Sequence, residues 1–106
     1  MPRTLRRYEV LLPRSFNDGR IVPPEWLAEA VQEIVDRYGD VSYETQTVEG
    51  HWRYQGSIYR DSLSKLVVDL PDSPEHREWM SGFKLRWQAR LEQIELWMVS
   101  FVIDLE

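Results

Sequence analysis

The side chains best suited to recognition lie in one short segment, where aromatic rings alternate with arginines and end beside an aspartate. Arginine next to exposed aromatic rings is typical of interface hot spots and of platforms that stack planar ligands. The rings would supply contact area, and the arginines would donate charge-assisted hydrogen bonds to an anion. The alternative is a hairpin whose rings close the edge of the core while its arginines are solvated. The predicted site for a partner or a small anionic ligand consists of His51, Trp52, Arg53, Tyr54, Tyr59, Arg60 and Asp61.

Acid–base chemistry is an alternative use of the same part of the chain. A histidine beside a carboxylate can act as a general base, and His51 has Glu49 and Asp61 near it in sequence. This leaves open a small enzyme of the dimeric α+β kind, with a pocket between sheet and loop and with His51, Glu9 or Asp61 as acid–base groups. The other histidine, His76, is expected to be exposed on a helix.

Common catalytic and metal-binding motifs are missing from the sequence. It has no glycine-rich phosphate loop, no nucleophile elbow, no paired-histidine zinc motif and no calcium-binding loop. Cysteine is absent, and neither histidine has a second ligand at zinc spacing, so no zinc site is expected. We therefore assign no cofactor, no metal and no catalytic residue from the sequence.

Three carboxylates form the remaining candidate for chemistry. If the strands pair as predicted below, Glu9, Glu44 and Asp69 share one sheet face, and oxygen ligands of this kind suit a hard cation. A metal-dependent nuclease, as small CRISPR-associated endonucleases are, would use such a cluster, although the net charge of −5 disfavours nucleic acid as a partner. The simpler expectation is a cross-strand ion pair between Glu9 and Lys65.

Composition limits the class of protein. The chain has 106 residues, a common size for one domain, and 42% of them are hydrophobic. The lack of cysteine and of an apolar stretch long enough to cross a bilayer indicates a cytoplasmic protein with no membrane partner. Arginines concentrate in the first fifth of the chain, where they would be solvated, steer self-association or hold a small anion. They are Arg3, Arg6, Arg7, Arg14 and Arg20.

Alternation of apolar and polar residues predicts the strands. Asn17-Asp18-Gly19 predicts a turn after the first strand, because asparagine and glycine adopt positive φ at low cost. Gln55-Gly56 lies between two aromatic stretches and predicts a small hairpin or a protruding loop. The predicted strands span residues 8–12, 41–48, 65–70 and, as an almost continuous apolar stretch, 96–105.

Two helices are predicted from proline-containing starts. Pro23-Pro24-Glu25 begins the first, which ends at Gly39, and Ser73-Pro74-Glu75 begins the second. The order β-α-β-(hairpin)-β-α-β over residues 1–106 predicts a single α+β domain of ferredoxin-like fold, in which an antiparallel sheet carries both helices on one face. The stripe that the second helix should bury is Met80, Phe83, Trp87, Leu91 and Ile94.

The last strand is apolar on both of its sides, which is unusual for a sheet with one face in water. We place the longer row, the odd-numbered residues from Trp97 to Leu105, under the helices. The other row would then add to an exposed apolar patch, which usually marks an interface. The alternative is that the hairpin at 52–59 folds back over it. The predicted interface of a homodimer packed through this open sheet face is Leu96, Met98 and Val102.

A short pattern runs through the second half of the chain. It consists of a Gly-x-Trp at Gly50–Trp52, a glycine-containing turn, an Arg-acid pair at Arg60-Asp61 and a Ser-Lys pair at Ser64-Lys65 before a strand, with looser agreement at Phe83-Lys84 and Gln93-Ile94. In this the chain resembles small uncharacterised bacterial proteins of ferredoxin-like type. Such proteins have no assigned activity, so the resemblance implies the fold alone. The function that we predict is a small binding or interaction module.

Overall fold

A computed structural model gives the structure of the chain. It describes residues 3–39, 41–43, 48–54 and 56–106, and of residues 43, 48–54 and 57–61 it describes the backbone. The fold is α+β, with an antiparallel sheet and, in the part described, two helices. In chain order the elements are β1 (Arg3–Pro13), α1 (Glu25–Tyr38), β2 (Ser42–Tyr43), β3 (Val48–Tyr54), β4 (Ser57–Leu70), α2 (Pro74–Arg90) and β5 (Met98–Leu105).

The sheet has the strand order β2-β4-β1-β5, and all of its pairs are antiparallel. β3 pairs with the first half of the long strand β4, and β2 pairs with its second half. α1 therefore connects two strands, β1 and β2, that lie on either side of β4. α2 connects β4 and β5 across β1 in the same way. Each helix thus crosses over one strand that runs in the opposite direction.

The core lies between one face of the sheet and both helices. The buried hydrophobic residues of β1 include Tyr8, Val10 and Leu12, and those of β4 are Leu66, Val68 and Leu70. Leu66 stands opposite Val10, and Val68 opposite Tyr8. These rows contact buried residues of both helices, so both helices cover the same face. The other side of the sheet, which carries the intervening residues of each strand, is the open face. The helical residues of the core are Ala30, Ile34, Met80, Phe83 and Trp87.

The ends of the helices agree with the prediction in most respects. Gly39 has φ 91° and donates its backbone N–H to the Val35 carbonyl, which closes α1. The Ser73 hydroxyl accepts a hydrogen bond of 3.2 Å from the His76 backbone N–H and caps α2. The prediction was wrong for Ile94, which is 62% exposed because α2 ends at Arg90 and the chain turns away. Neither helix of the described part is long and apolar enough to cross a bilayer.

Two glycines should respond to alanine with opposite signs. Gly39 is in the left-handed region with φ 91°, and Gly39→Ala should lower the free energy of unfolding by about 1–2 kcal/mol. Gly82 lies inside α2, where an added Cβ would meet the flexible end of Arg86 at 3.3 Å, and Gly82→Ala should raise it by about 1 kcal/mol. Urea unfolding of both variants checks this, and a destabilised Gly82→Ala would show that Arg86 cannot move aside.

The predicted hairpin is present, and it belongs to a longer strand. Tyr54 stands opposite Ser57, and Gly56 between them has φ 80°, as a tight turn requires. From this turn β4 runs without interruption to Leu70, so the strand predicted over 65–70 is 14 residues long. The strand predicted over 41–48 is described only at its two ends, since residues 44–47 lie outside the described residues.

The two sides of β5 are the reverse of those predicted. Ser100 stands opposite Tyr8 and Met98 opposite Val10, so both lie on the helix side of the sheet. Leu96 is 1% exposed and belongs to the core. Leu96, Met98 and Val102 therefore form no patch on the open face. The apolar residues of β5 on that face are Val99, Phe101, Ile103 and Leu105, with Trp97 just before the strand.

The physical reason for this error is that β5 is apolar on both sides, so no polar residue marks which side faces water. The alternative prediction, that the hairpin at 52–59 folds back over the last strand, is also wrong. The hairpin of β3 and β4 lies at the edge of the sheet away from β5, with the paired strands β4 and β1 between them. It therefore does not cover either row of β5.

Candidate functional site

A cavity of about 360 Å³ opens at one end of the sheet, where β1 ends, α1 begins and α2 ends. The segment between β1 and α1 forms one wall. The inner side of β4 forms the floor, and two tryptophans from the two helices form the roof. The walls are mostly apolar. They consist of Leu12, Pro13, Arg14, Ser15, Ile21, Val22, Pro23, Pro24, Trp26, Leu27, Ser62, Ser64, Trp87 and Leu91.

The floor of the cavity lies on the helix-facing side of β4, where the residues change from apolar to serine. Leu66 and Val68 lie under the helices, and Ser64 and Ser62 continue the same side of the strand past the end of the helical layer. Ser64 stands opposite the buried Leu12. A serine hydroxyl donates one hydrogen bond and accepts two. The floor thus offers polar groups inside a mostly apolar cavity.

The roof is held by contacts between the two helices. The rings of Trp26 and Trp87 meet edge to face, with centroids 6.4 Å apart. The Trp87 Nε1 donates a hydrogen bond of 2.7 Å to Glu33 on α1. The Arg90 guanidinium lies 4.1 Å from the Trp26 centroid and 4.8 Å from that of Trp87, and it pairs with Glu29. Contacts within the protein therefore hold both tryptophans in this arrangement.

The wall segment between β1 and α1 is folded by its own polar residues. Ser15 and Ile21 form an isolated bridge, and Gly19 between them has φ 93°, as predicted for the turn. Asp18 accepts hydrogen bonds from the backbone N–H of Arg20 at 3.0 Å and from its guanidinium, and these hold the pKa of the Asp18 carboxyl below its usual value. The Ser15–Ile21 bridge and the hydrogen bonds between Asp18 and Arg20 therefore stabilise the shape of this wall.

The polar side chains that line this cavity are those of Arg14, Ser15, Ser62 and Ser64, with the indole N–H groups of Trp26 and Trp87. Among its described walls there is no carboxylate and no histidine, so they offer no acid–base pair. Glu9, one of the predicted acid–base groups, lies on the open face, away from the cavity. There it pairs with Lys65 at 3.5 Å, as predicted. The side chains of His51 and Asp61 lie outside the described residues.

The carboxylate cluster is not assembled by the residues that the structure describes. Asp69 accepts two hydrogen bonds from the Arg7 guanidinium, at 2.8 and 3.0 Å, and Glu9 is paired with Lys65. Glu44 lies outside the described residues. In the described ranges no group of three histidines or carboxylates is placed to hold a metal ion.

The predicted aromatic-arginine segment forms the hairpin of β3 and the first half of β4. Its backbone places His51 opposite Arg60 and Trp52 opposite Tyr59, so the pairing brings together residues on both sides of the turn. The side chains of all seven predicted site residues, from His51 to Asp61, lie outside the described residues. The hairpin joins the cavity through Ser62, the next residue of β4.

At the opposite end of the sheet, polar side chains join β1 to the start of α2. Asp72 accepts from Arg6 at 2.9 Å and from Arg77 at 2.8 Å, and these bonds hold the pKa of the Asp72 carboxyl below its usual value. The neighbouring Tyr8 hydroxyl is buried without a hydrogen-bond partner, and burial raises its pKa. His76, predicted to be exposed, is half-buried because α2 packs it against α1.

Three of the arginines near the start of the chain are paired with carboxylates, and Arg14 lines the cavity. Arg6 bonds to Asp72 and Arg7 to Asp69, while Arg20 bonds to Asp18 and Glu92. Each of these pairs is at a different place on the fold. A pocket between sheet and loop was predicted as an alternative, but the residues that line this cavity were not predicted as a site. Its sequence signal is the change from Leu66 to Ser64 and Ser62 on one side of β4, which becomes meaningful only when the strand is known to continue that far.

No protein-family model matches the sequence, and no curated protein matches it. The fold is similar to that of a solved structure, a phage SAM lyase in complex with S-methyl-5′-thioadenosine. The TM-score is 0.71, with 95% of this chain and 88% of that chain covered and 11% sequence identity. At this identity the likeness establishes the fold that the two chains share.

Proposed function

We propose that the chain is a small binding module whose site is the cavity between the β4 serines and the two tryptophans. The observation that carries the proposal is the roof: Trp26 and Trp87 are fixed by Arg90 and Glu33 over a mostly apolar space. Cavities of about 300–1,000 Å³ with a few placed polar groups are usual for small-molecule sites. At about 360 Å³ this one suits a small ligand. The lack of acid–base groups in the described walls favours binding over catalysis.

The ligand class that we propose is a planar heteroaromatic molecule with hydroxyl groups, such as a nucleoside. The half-buried Trp26 ring offers flat apolar surface to a base, and the buried Trp87 supports it from behind. Ser62 and Ser64 provide hydroxyls that donate to and accept from a sugar. The likeness in fold to a protein solved with S-methyl-5′-thioadenosine supports a methylated thionucleoside as the first probe.

Tryptophan fluorescence tests the proposal directly, because two of the five tryptophans line the cavity. Titration with S-methyl-5′-thioadenosine should change the emission saturably, with a dissociation constant below about 1 mM, which corresponds to about −4 kcal/mol. Methionine, which lacks the base, is the matched control and should leave the emission unchanged. An unchanged emission with the nucleoside, together with no thermal shift, would contradict the proposal.

The fold that we propose for this module is ferredoxin-like. The support is that each helix connects two strands across a third, which is the arrangement of a split β-α-β unit. The hairpin from His51 to Asp61 remains in the proposal as a contact for a partner or a small anion, because it combines aromatic residues and arginines at the edge of the sheet. The cysteine-free composition supports a cytoplasmic location. A second copy of the chain is the partner that we propose.

A further inference from the structure

β5 is an edge of the sheet and, within the described part of the chain, pairs only with β1. The backbone groups on its outer side face no other described strand. Edges of this length usually carry a lysine, a proline or a bulge that prevents pairing with another chain. β5 has neither lysine nor proline, its register with β1 is unbroken, and Asp104 is its one charged residue. The edge is thus open to a further strand.

The open face beside this edge is less suited to contact than the edge itself. Two ion pairs cross it, Arg7 with Asp69 and Glu9 with Lys65. Stacking two such faces would remove these charges from water, and that desolvation is costly. Pairing along the edge leaves them solvated. The contact surface therefore moves from the face expected from the sequence to the strand edge.

We propose that a second copy of this chain pairs with β5 along this edge, antiparallel, around a two-fold axis at Phe101. This rests on the proposal that the chain associates with itself, and it specifies the surface. In this register Phe101 lies opposite its own counterpart, and Val99 of one copy lies opposite Ile103 of the other. Aromatic and β-branched cross-strand pairs of this kind are favourable. Phe101 is 42% exposed in the single chain, so it has surface to bury.

Charge selects the antiparallel direction and a like partner. In the antiparallel register Asp104 of one copy lies opposite Met98 of the other. A parallel, in-register pair would place the two Asp104 carboxylates side by side, which is destabilising. β5 has no lysine or arginine that could pair with an acidic partner strand. A second copy of β5 would instead place apolar residues opposite the whole open-face row.

Cysteine cross-linking tests the register, since the natural chain contains no cysteine. Opposite residues of an antiparallel pair have Cα atoms about 4.5–5.5 Å apart, within the range that a disulfide spans. Under mild oxidation Phe101→Cys should form a covalent dimer at least about ten times faster than Ile94→Cys, whose position is 62% exposed and outside β5. Equal rates for the two variants would overturn the proposal.

Light scattering over a concentration series tests the association itself. The natural chain and Ile94→Lys should both reach the mass of two chains, and Phe101→Lys should stay at one, because two lysines would face each other across the axis. A natural chain that stays monomeric up to about 1 mM, which is about −4 kcal/mol, or a dimeric Phe101→Lys, would overturn the proposal. Phe101→Lys should still bind S-methyl-5′-thioadenosine. Loss of dimerisation and loss of ligand binding can therefore be distinguished.

Discussion

Trp87→Ala is expected to lower the free energy of unfolding by about 3–5 kcal/mol, the usual cost of removing a large buried aromatic side chain. Trp87 is 3% exposed and contacts both Trp26 and Phe83. Its loss also leaves Glu33 without the indole N–H and Arg90 without one of its two rings. Since small domains are stable by only about 5–15 kcal/mol, this is a large share of the total.

The control for this prediction is Trp97→Ala, the same change at a position that is 59% exposed. Exposed substitutions usually change stability by no more than about 0.5 kcal/mol. Urea unfolding followed by far-ultraviolet circular dichroism measures both variants. In thermal unfolding Trp87→Ala should melt at least about 12 °C lower than the natural chain, given about 4–8 °C per kcal/mol at this length. Equal losses for the two variants would show that the helices are not held together through Trp87.

Ser64→Phe is expected to weaken binding of S-methyl-5′-thioadenosine by at least about 30-fold, or about 2 kcal/mol. The reason is steric, because a phenyl ring on the floor of the cavity would occupy the space under Trp26 and Trp87. Phenylalanine is favoured in strands, so the variant should still fold. The tryptophan titration described above gives the dissociation constant.

Two further variants separate blocking from a lost hydrogen bond and from a general effect on the sheet. Ser64→Ala removes only the hydroxyl, and a single hydrogen bond is worth about 0.5–1.5 kcal/mol, so binding should weaken by about 2- to 12-fold. Ser42→Phe makes the same change as Ser64→Phe on β2, at an exposed position away from the cavity, and should bind as the natural chain does. Tight binding by Ser64→Phe would place the ligand elsewhere.

The sequence carried enough information to place the helices because their boundaries depend on local chemistry. Gly39 adopts positive φ and Ser73 caps a backbone N–H, and both effects act within one turn of the chain. The pairing of Glu9 with Lys65 was also predictable, because the alternation of β1 and β4 fixed which residues face outward. The two helix ends required no knowledge of the distant fold, whereas the ion pair also required that β1 lie beside β4.

The side of β5 and the cavity depended on contacts that the local pattern does not contain. Val99 and Met98 are both apolar, and only the register with Glu9 and Val10 determines which of them faces the helices. In the same way Ser64 is unremarkable until Trp26 and Trp87 are brought over it by two separate helices. Local pattern assigned the elements, whereas the site arises from long-range pairing.

The pairing of β1 with β5 has a consequence for the kinetics of folding. The Arg6 and Ser100 side chains form a hydrogen bond although they are 94 positions apart in the chain. Contacts with such wide separation slow folding, because the entropy of closing the loop is lost before the contact forms. We expect the pairing of β1 with β4 to form before the pairing of β1 with β5. During that interval one edge of β1, rather than of β5, is the surface that can capture the wrong strand.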